Sequence, residues 1–480
     1  MNTIFYNAHQ KHSACRSPVC NGLLHIMIFL TAAMVAVSGC ASSDFVRLRH
    51  QQTEQFLNDL DNKTAVELPP SRALSLQECI VLAQKNSLAL KSARIQQRIS
   101  SLERKVAFAN FLPAVNAGLT YQALQHDPMA RFGSSWTKVS DRDLTETSIT
   151  LQQRVFSPYT WFLYDMFRKG EDIHKLITLR TTQLISLQVT GLYYQCRSLQ
   201  ETGRFLAVSE QQARELLRET MSAEQQGLVR AGTRAEAEAL ALSRRFQLTE
   251  NSRQLQQAKS RLLDSLGLYP FADIVLSGDR TVEPPQLSLE DCIMEALLNR
   301  PELHISDRRY AVEKDKIKMA ITAFLPDISA FAGFSGTTDS FIKYQSQWAG
   351  GITGIMSLFN GFANISAYRA ARERAQDVFI KREQTCFMVM LQVQQAFLGL
   401  HSAADLVAVT EKTAAAQDEK LREENAAWDQ GLVTSSRRLQ SLARRDQAAV
   451  QHTIAGFNHQ VAVSTLLDVI GRGTHQHVDE

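Results

Sequence analysis

Hydrophobic positions along this chain change their period several times, and they do so in the same order twice. From Leu74 the apolar residues keep a helical spacing as far as Pro113, and from Leu287 they keep it as far as Pro326. Each run opens on a serine, Ser75 or Ser288, with an acid three residues later, Glu78 or Asp291. That pairing caps a helix N-terminus, so a single unbroken helix is expected from each serine to each proline. Strict alternation follows. Val115, Ala117, Leu119 and Tyr121 share one side, and Asn116, Gly118 and Thr120 the other. Further on, Ile149, Leu151, Gln153 and Val155 stand opposite Ser148, Thr150, Gln152 and Arg154. The second run offers Ile328, Ala330, Ala332 and Phe334, then a glycine-rich stretch over 348–359. These are strands whose two faces meet different surroundings.

Beyond the strands, roughly 159–226 and 362–430 contain no proline and return to helical spacing, as in Phe387, Met390, Leu391, Phe397 and Leu398. At 1.5 Å per residue each makes a rod of about 100 Å. No compact globule holds such a rod, which belongs in a coiled coil or an elongated barrel. The chain turns at Gly227 and Gly431, and a further helix returns to Gly267 or Gly471.

The order repeats because the sequence repeats. Residues 74–115 match 287–328 without gaps at 13 of 42 positions, including Leu-Ser-Leu at the start and Phe-Leu-Pro at the end. Residues 220–267 match 424–471 at 16 of 48, including Gln-Gly-Leu-Val at 226–229 and 430–433. The offset falls from 213 to 204, so the first copy carries extra residues, placed between about Tyr121 and Thr147. The chain is a tandem duplication.

The N-terminus has different chemistry. Lys11 and Arg16 precede an apolar stretch over 23–37, which ends at Val37-Ser38-Gly39-Cys40. A basic region, a short apolar core and small residues form a secretory signal. The small pair before the cysteine resembles a bacterial lipoprotein box, with Cys40 as the lipidated first residue of the mature chain; the alternative is an ordinary signal peptide. Ala41 rather than an acid follows Cys40, which favours the outer over the inner membrane. Past residue 40 nothing approaches the length of a spanning helix, so any further membrane crossing must use strands. The expected division is 1–39 signal peptide, 40–73 lipid-anchored tether, 74–270 first repeat, 271–286 linker, 287–472 second repeat and 473–480 polar tail.

Composition narrows function by exclusion. With 52 basic and 49 acidic residues the chain carries +3 and lacks the basic footprint of nucleic-acid binding. Cys15 and Cys20 fall in the signal, while Cys79, Cys196, Cys292 and Cys386 show no CxxC spacing and read as small buried helix residues. Gly350-Gly351-Ile352-Thr353-Gly354 lacks the Lys-Ser/Thr of a phosphate loop and reads as a crowded strand. His452 and His459 share a helix face without an acid pair, and His475 and His477 sit in the tail, so no metal, cofactor or enzymatic activity is expected. Four strands are too few to close a membrane barrel, for which about eight is the minimum, and their free edges are forbidden in lipid. Several copies must therefore pool their strands.

The order of elements, the LSLxEC and LSLxDC openings, the FLP ends, Phe156-Ser157-Pro158 and Leu358-Phe359-Asn360-Gly361 before the long helices, and the paired Gly-Leu-Val turns resemble the TolC-like outer membrane efflux proteins. The resemblance spans about 71–472. It implies a mainly α fold with β: a tandem-duplicated helix-strand-strand-long helix-helix unit. As a homotrimer this unit would form a 12-stranded outer-membrane β-barrel continued by a long periplasmic α-helical barrel. It implies an exit duct, lipid-anchored in the outer membrane and extending into the periplasm. The duct would dock on a periplasmic adaptor protein and an inner-membrane pump or secretion ATPase. Efflux of drugs or other solutes, export of metals and type I protein secretion remain open within that reading, and a lipid-tethered coiled-coil scaffold remains outside it.

By resemblance, Gly227, Leu228, Val229, Gly431, Leu432 and Val433 lie at the periplasmic helix tips and meet the adaptor. Residues just beyond them, Arg234, Glu236, Arg437, Arg438 and Gln440, would constrict the pore. Many relatives carry acids six and nine residues after the second glycine, where this chain has Arg437 and Gln440. Pairing of Arg437 and Arg438 with Glu236 or Glu238 would hold a closed tip; otherwise these are solvated surface charges.

Overall fold

Both serine-capped helices form where their caps stand, but neither runs unbroken to its proline. The computed structural model describes residues 45–68, 73–278 and 283–473. Cys40, the signal region, His475 and His477 lie outside the described residues. The chain divides into two units, 1–66 and 67–480, and the first contains all but the last residue of helix α1 (Phe45–Glu67). In the second unit Ser75 accepts a bond from the Glu78 amide, and the Glu78 carboxylate accepts the Ser75 amide at 2.8 Å. This reciprocal cap opens α2 (Leu76–Asn86), which stops at Ser87. The Ser87 hydroxyl caps a separate α3 (Leu88–Ala109) by accepting the Leu90 amide. In the second repeat Ser288 caps α6 (Leu289–Asn299), and Pro301 then opens α7 (Pro301–Thr322). The breaks at Ser87 and Arg300 are equivalent positions. Apolar spacing runs straight across them, which hides them, although a capping serine and a proline suited to a first turn were both present.

Four strands build one antiparallel sheet in the order β2 (Ala114–Ala123), β5 (Asp143–Phe156), β7 (Asp327–Thr337), β8 (Ser346–Ile355). Its register aligns like with like. Ala117, Ile149, Phe334 and Trp348 lie in one row, and Val115, Leu151, Ala332 and Gly350 in the next row of the same face. The opposite face carries Gly118, Ser148, Ser335 and Gln347, then Asn116, Thr150, Gly333 and Ala349. The glycine-rich stretch is β8 itself: a Cβ on Gly351 would come within 3.1 Å of the Phe331 ring across the ladder. The extra residues of the first repeat form a hairpin, β3 (Met129–Phe132) with β4 (Ser135–Lys138). Its base is tied to the loop of the second repeat. Asp339 accepts bonds from the Ser140 hydroxyl at 2.6 Å and the Asp141 amide at 3.1 Å, while Asp141 accepts the Ser340 amide at 2.7 Å.

The long helices are α4 (Pro158–Gln225, 68 residues) and α8 (Ala363–Asp429, 67 residues), with return helices α5 (Ala231–Ser265) and α9 (Ser435–Val469). Each repeat has its own core. In the first, Cys79 and Ile80 of α2 meet Val189 and Tyr193 of α4 and Leu262 and Leu263 of α5. A two-residue parallel ladder, β1 (Ala73–Leu74) with β6 (Val275–Leu276), closes that core. In the second, Cys292 of α6, Val389 and Val393 of α8, and Leu466 and Ile470 of α9 do the same. Burial pushes the Cys79 and Cys196 thiols up to about 12. They pack as small apolar groups, as their spacing implied.

The repeats join through charge. Arg180 of α4 donates to both oxygens of Asp468 on α9, at 2.8 and 3.0 Å, and lies 2.6 Å from Glu302 on α7. Arg300 donates to Glu302 at 2.7 Å and to Gln392 of α8 at 2.6 Å. Nearer the sheet, Lys169 of α4 binds Asp165 and the buried Asp315 of α7.

Each return helix ends on a left-handed glycine pressed against the end of a short helix. Gly267 has φ +66° and Gly471 has φ +86°. A Cβ on Gly267 would stand 2.8 Å from the Asn86 carbonyl oxygen, whereas one on Gly227 (φ +73°) would meet nothing within 4 Å. Gly227→Ala is therefore expected to cost about 1 kcal/mol from conformation alone, and Gly267→Ala about 2 kcal/mol or more. Thermal denaturation of the two variants side by side checks this; equal losses would remove the contact from the account.

Candidate functional site: the helix tips

The two far turns are built alike because the two Gln-Gly-Leu-Val segments are. Gly227 and Gly431 both have φ +73°. Each amide binds the carbonyl three residues back, Glu224 at 2.9 Å and Trp428 at 2.8 Å. Each following leucine amide reaches five residues back, Leu228 to Ala223 at 2.8 Å and Leu432 to Ala427 at 2.9 Å. This left-handed glycine cap satisfies the last carbonyls of a long helix and reverses the chain within five residues. Leu228 and Leu432 are left 72% exposed, and Val229 and Val433 are half-buried beside them. Two identical turns thus each offer one bare leucine at the end of a rod.

Charge distinguishes the two tips. Arg437 on the first turn of α9 donates from Nε to Oε1 of Glu424 on α8 at 2.9 Å. The arginine is exposed, while Glu424 is buried and its Oε2 has no hydrogen-bond partner. Arg438 donates to the Asn425 side chain at 2.9 Å and holds its guanidinium 5.9 Å from the centre of the Trp428 ring, a cation–π contact. In the first repeat the equivalent of Arg438 is Arg234, which reaches Glu224 at 3.4 Å. Gln440 and Glu236 are exposed on their helices.

The bridge from Arg437 or Arg438 to Glu236 or Glu238 anticipated from sequence is therefore not what one chain makes. Each arginine closes on the long helix of its own hairpin. The sequence did hold the signal: Glu424 and Asn425 each lie thirteen residues before their arginines. Six residues on either side of a tight turn face one another across an antiparallel pair of helices. No group of three or more His, Cys, Asp and Glu suited to a metal occurs among the described residues, and His452 spends its Nδ1 on the Thr410 hydroxyl at 3.3 Å. No described helix is long and apolar enough to cross a membrane.

Comparison with known proteins agrees with this architecture. Residues 292–471 match the family described as outer membrane efflux protein. The outer membrane efflux protein BepC of Brucella suis is 26% identical over 207 residues, which is 42% of this chain and 44% of that relative. The matched segment thus spans less than half the length of that protein. Among solved structures, a membrane protein from Pseudomonas aeruginosa superposes with a TM-score of 0.73 at 16% identity, covering 83% of this chain and 90% of that one. The CmeC outer membrane channel of Campylobacter jejuni gives 0.72 at 15% identity, covering 83% and 86%. The MtrE outer membrane channel of Neisseria gonorrhoeae gives 0.69 at 17%, covering 83% and 89%. The chain has the TolC-like fold of these outer membrane channels, and residues 292–471 of its second repeat match the model of the outer membrane efflux protein family.

Proposed function

We propose that this chain is one subunit of a homotrimeric exit duct, which carries solutes from an inner-membrane pump across the periplasm and outer membrane. The observation that supports this most is the four-stranded sheet, with one apolar face and two unpaired edges, set on helices of 68 and 67 residues. Three such sheets closed edge to edge, β8 of one against β2 of the next, give twelve strands and no free edge. The apolar rows then face lipid and the Ser, Thr and Asn rows face water. Acyl chains on Cys40 would hold the N-terminus to the same membrane, two or more chains together being needed for firm anchoring. At the far end Leu228 and Leu432 dock the periplasmic adaptor, and the arginines beyond them line the narrowest part of the bore. Substrate choice belongs to the pump.

Arg437 gives the sharpest test. Arg437→Asp would set a second carboxylate beside buried Glu424 in place of the cation that neutralises it, so the hairpin there loosens and the tip turns acidic. Single-channel recording in planar bilayers should show a larger conductance and a shift toward cations, relative to the unaltered protein. Unchanged conductance and selectivity would return Arg437 to the status of a surface charge. A well-folded chain that stays monomeric and never conducts would end the duct reading.

A further inference from the structure

The two repeats present the same surfaces twice, once covered and once bare. Both long helices run unbroken to equivalent turns, so each residue of α4 corresponds to the residue 204 later on α8. Positions that face the repeat's own core are buried in both: Ile185 and Val389, Val189 and Val393, Cys196 and Leu400. Positions one face round are not. Gln183, Ser186, Thr190 and Tyr194 of α4 are buried, Tyr194 against Phe457 of α9. Their counterparts Phe387, Met390, Gln394 and Leu398 of α8 are all exposed, Phe387 at 72% and Leu398 at 57%.

The short helices repeat the contrast. α7 packs on both long helices. Its buried Asp315 binds Lys169, but the counterpart on α3, Leu102, is 57% exposed. Ile95, Ile99 and Val106 continue from Leu102 at coiled-coil spacing, and all are exposed.

We propose that these bare faces are the joint between neighbouring copies: α3 of one chain lies on α8 of a second copy, in the register in which α7 lies on α4 within a chain. This rests on the assembly proposed above and adds the chemistry that orders it. The pair Lys169 and Asp315 becomes Glu373 and Leu102. Arg180, Asp468 and Glu302 become Gln384, Asp264 and Ala89. The joint within a chain thus carries ion pairs beside its Tyr194–Phe457 contact, whereas the matching places between chains pair no opposite charges. Seating α3 where α7 sits would take Asp315 from Lys169 and Glu302 from Arg180 and put Leu102 and Ala89 in their places, while seating α7 where α3 sits would press the buried Asp315 toward Glu373. Each repeat therefore distinguishes its own partner from its neighbour's, and the six repeats of a ring can close in one order only.

The register can be tested by moving the charge pair. Leu102→Asp should abolish the trimer seen by native mass spectrometry in detergent, and adding Glu373→Lys should restore it by rebuilding the Lys169–Asp315 pair between chains. A second measurement does not depend on the variant's stability. Leu102→Cys with Glu373→Cys should form interchain disulfides on mild oxidation, and neither single variant should. A trimer untouched by Leu102→Asp, a double variant no better than the single, or an absence of interchain disulfide would each overturn the joint. None of these would touch the duct reading, so long as the unaltered trimer conducts.

Discussion

Arg180→Ala is expected to destabilise the protein by about 3–5 kcal/mol, because it strands two carboxylates that share one cation. Asp468 has a side chain only 6% exposed and takes both of its hydrogen bonds from Arg180 on this side. Glu302, on a third helix, keeps Arg300 but loses its 2.6 Å partner. The penalty is the cost of leaving charge buried rather than the worth of the attraction. Arg180→Met with Asp468→Leu should accordingly recover most of the loss. The apparent melting temperature should fall by roughly 5–10 °C in the single variant; a loss within 1 °C, or a double variant worse than the single, would refute the account.

Acidity reaches the same joint. Burial pushes the Glu302 carboxyl up, but the hydrogen bond from Arg300 and the charges of Arg300 and Arg180 outweigh it and hold the group below the usual carboxylate range. A depressed folded value means that the stabilisation is complete above the unfolded value of ~4.3 and is lost as pH falls through the folded value. Acid unfolding should begin below about pH 4, and Glu302→Gln should flatten that limb.

The second large effect separates the two faces of the sheet. Ile149 and Thr150 are neighbours on β5, an inner strand with β2 on one side and β7 on the other. Ile149 lies in the apolar row with Ala117 and Phe334, and Thr150 in the polar row with Asn116 and Gly333. If the apolar row faces lipid, Ile149→Arg costs about 2–4 kcal/mol of insertion and folding near the bilayer centre, whereas Thr150→Arg extends into water and costs little. Refolding into vesicles with a denaturant titration reads the difference directly. Equal penalties would mean that the sheet is not in lipid, and a larger one at Thr150 would mean that the faces are reversed.

These expectations draw unequally on sequence and structure. The caps at Ser75 and Ser288, the alternating strands and the proline-free rods were legible because each is a local rule expressed in consecutive residues. The duplication was legible because it compares the chain only with itself. The breaks at Ser87 and Arg300 were not, since the apolar stripe faces the same neighbour on both sides of the break and hides the change of direction. The partner of Arg437 was legible only once an antiparallel register was applied: acids stand on both hairpins, and the thirteen-residue spacing across the turn selects Glu424. The Arg180–Asp468 pair joins residues 288 apart, and nothing local announces it.

The 68-residue α4 also has a mechanical consequence. A rod of about 100 Å held at its sheet end is a lever, and a tilt of about 3° there carries the Gly227 turn through about 5 Å. At the far end each turn is tied within its own hairpin, by the exposed Arg437 on Glu424 and by Arg234 on Glu224. The more exposed of the two, Arg234 on Glu224, holds about 1 kcal/mol or less. Small strains at the sheet end are therefore magnified at the far turns, where Leu228 stands exposed.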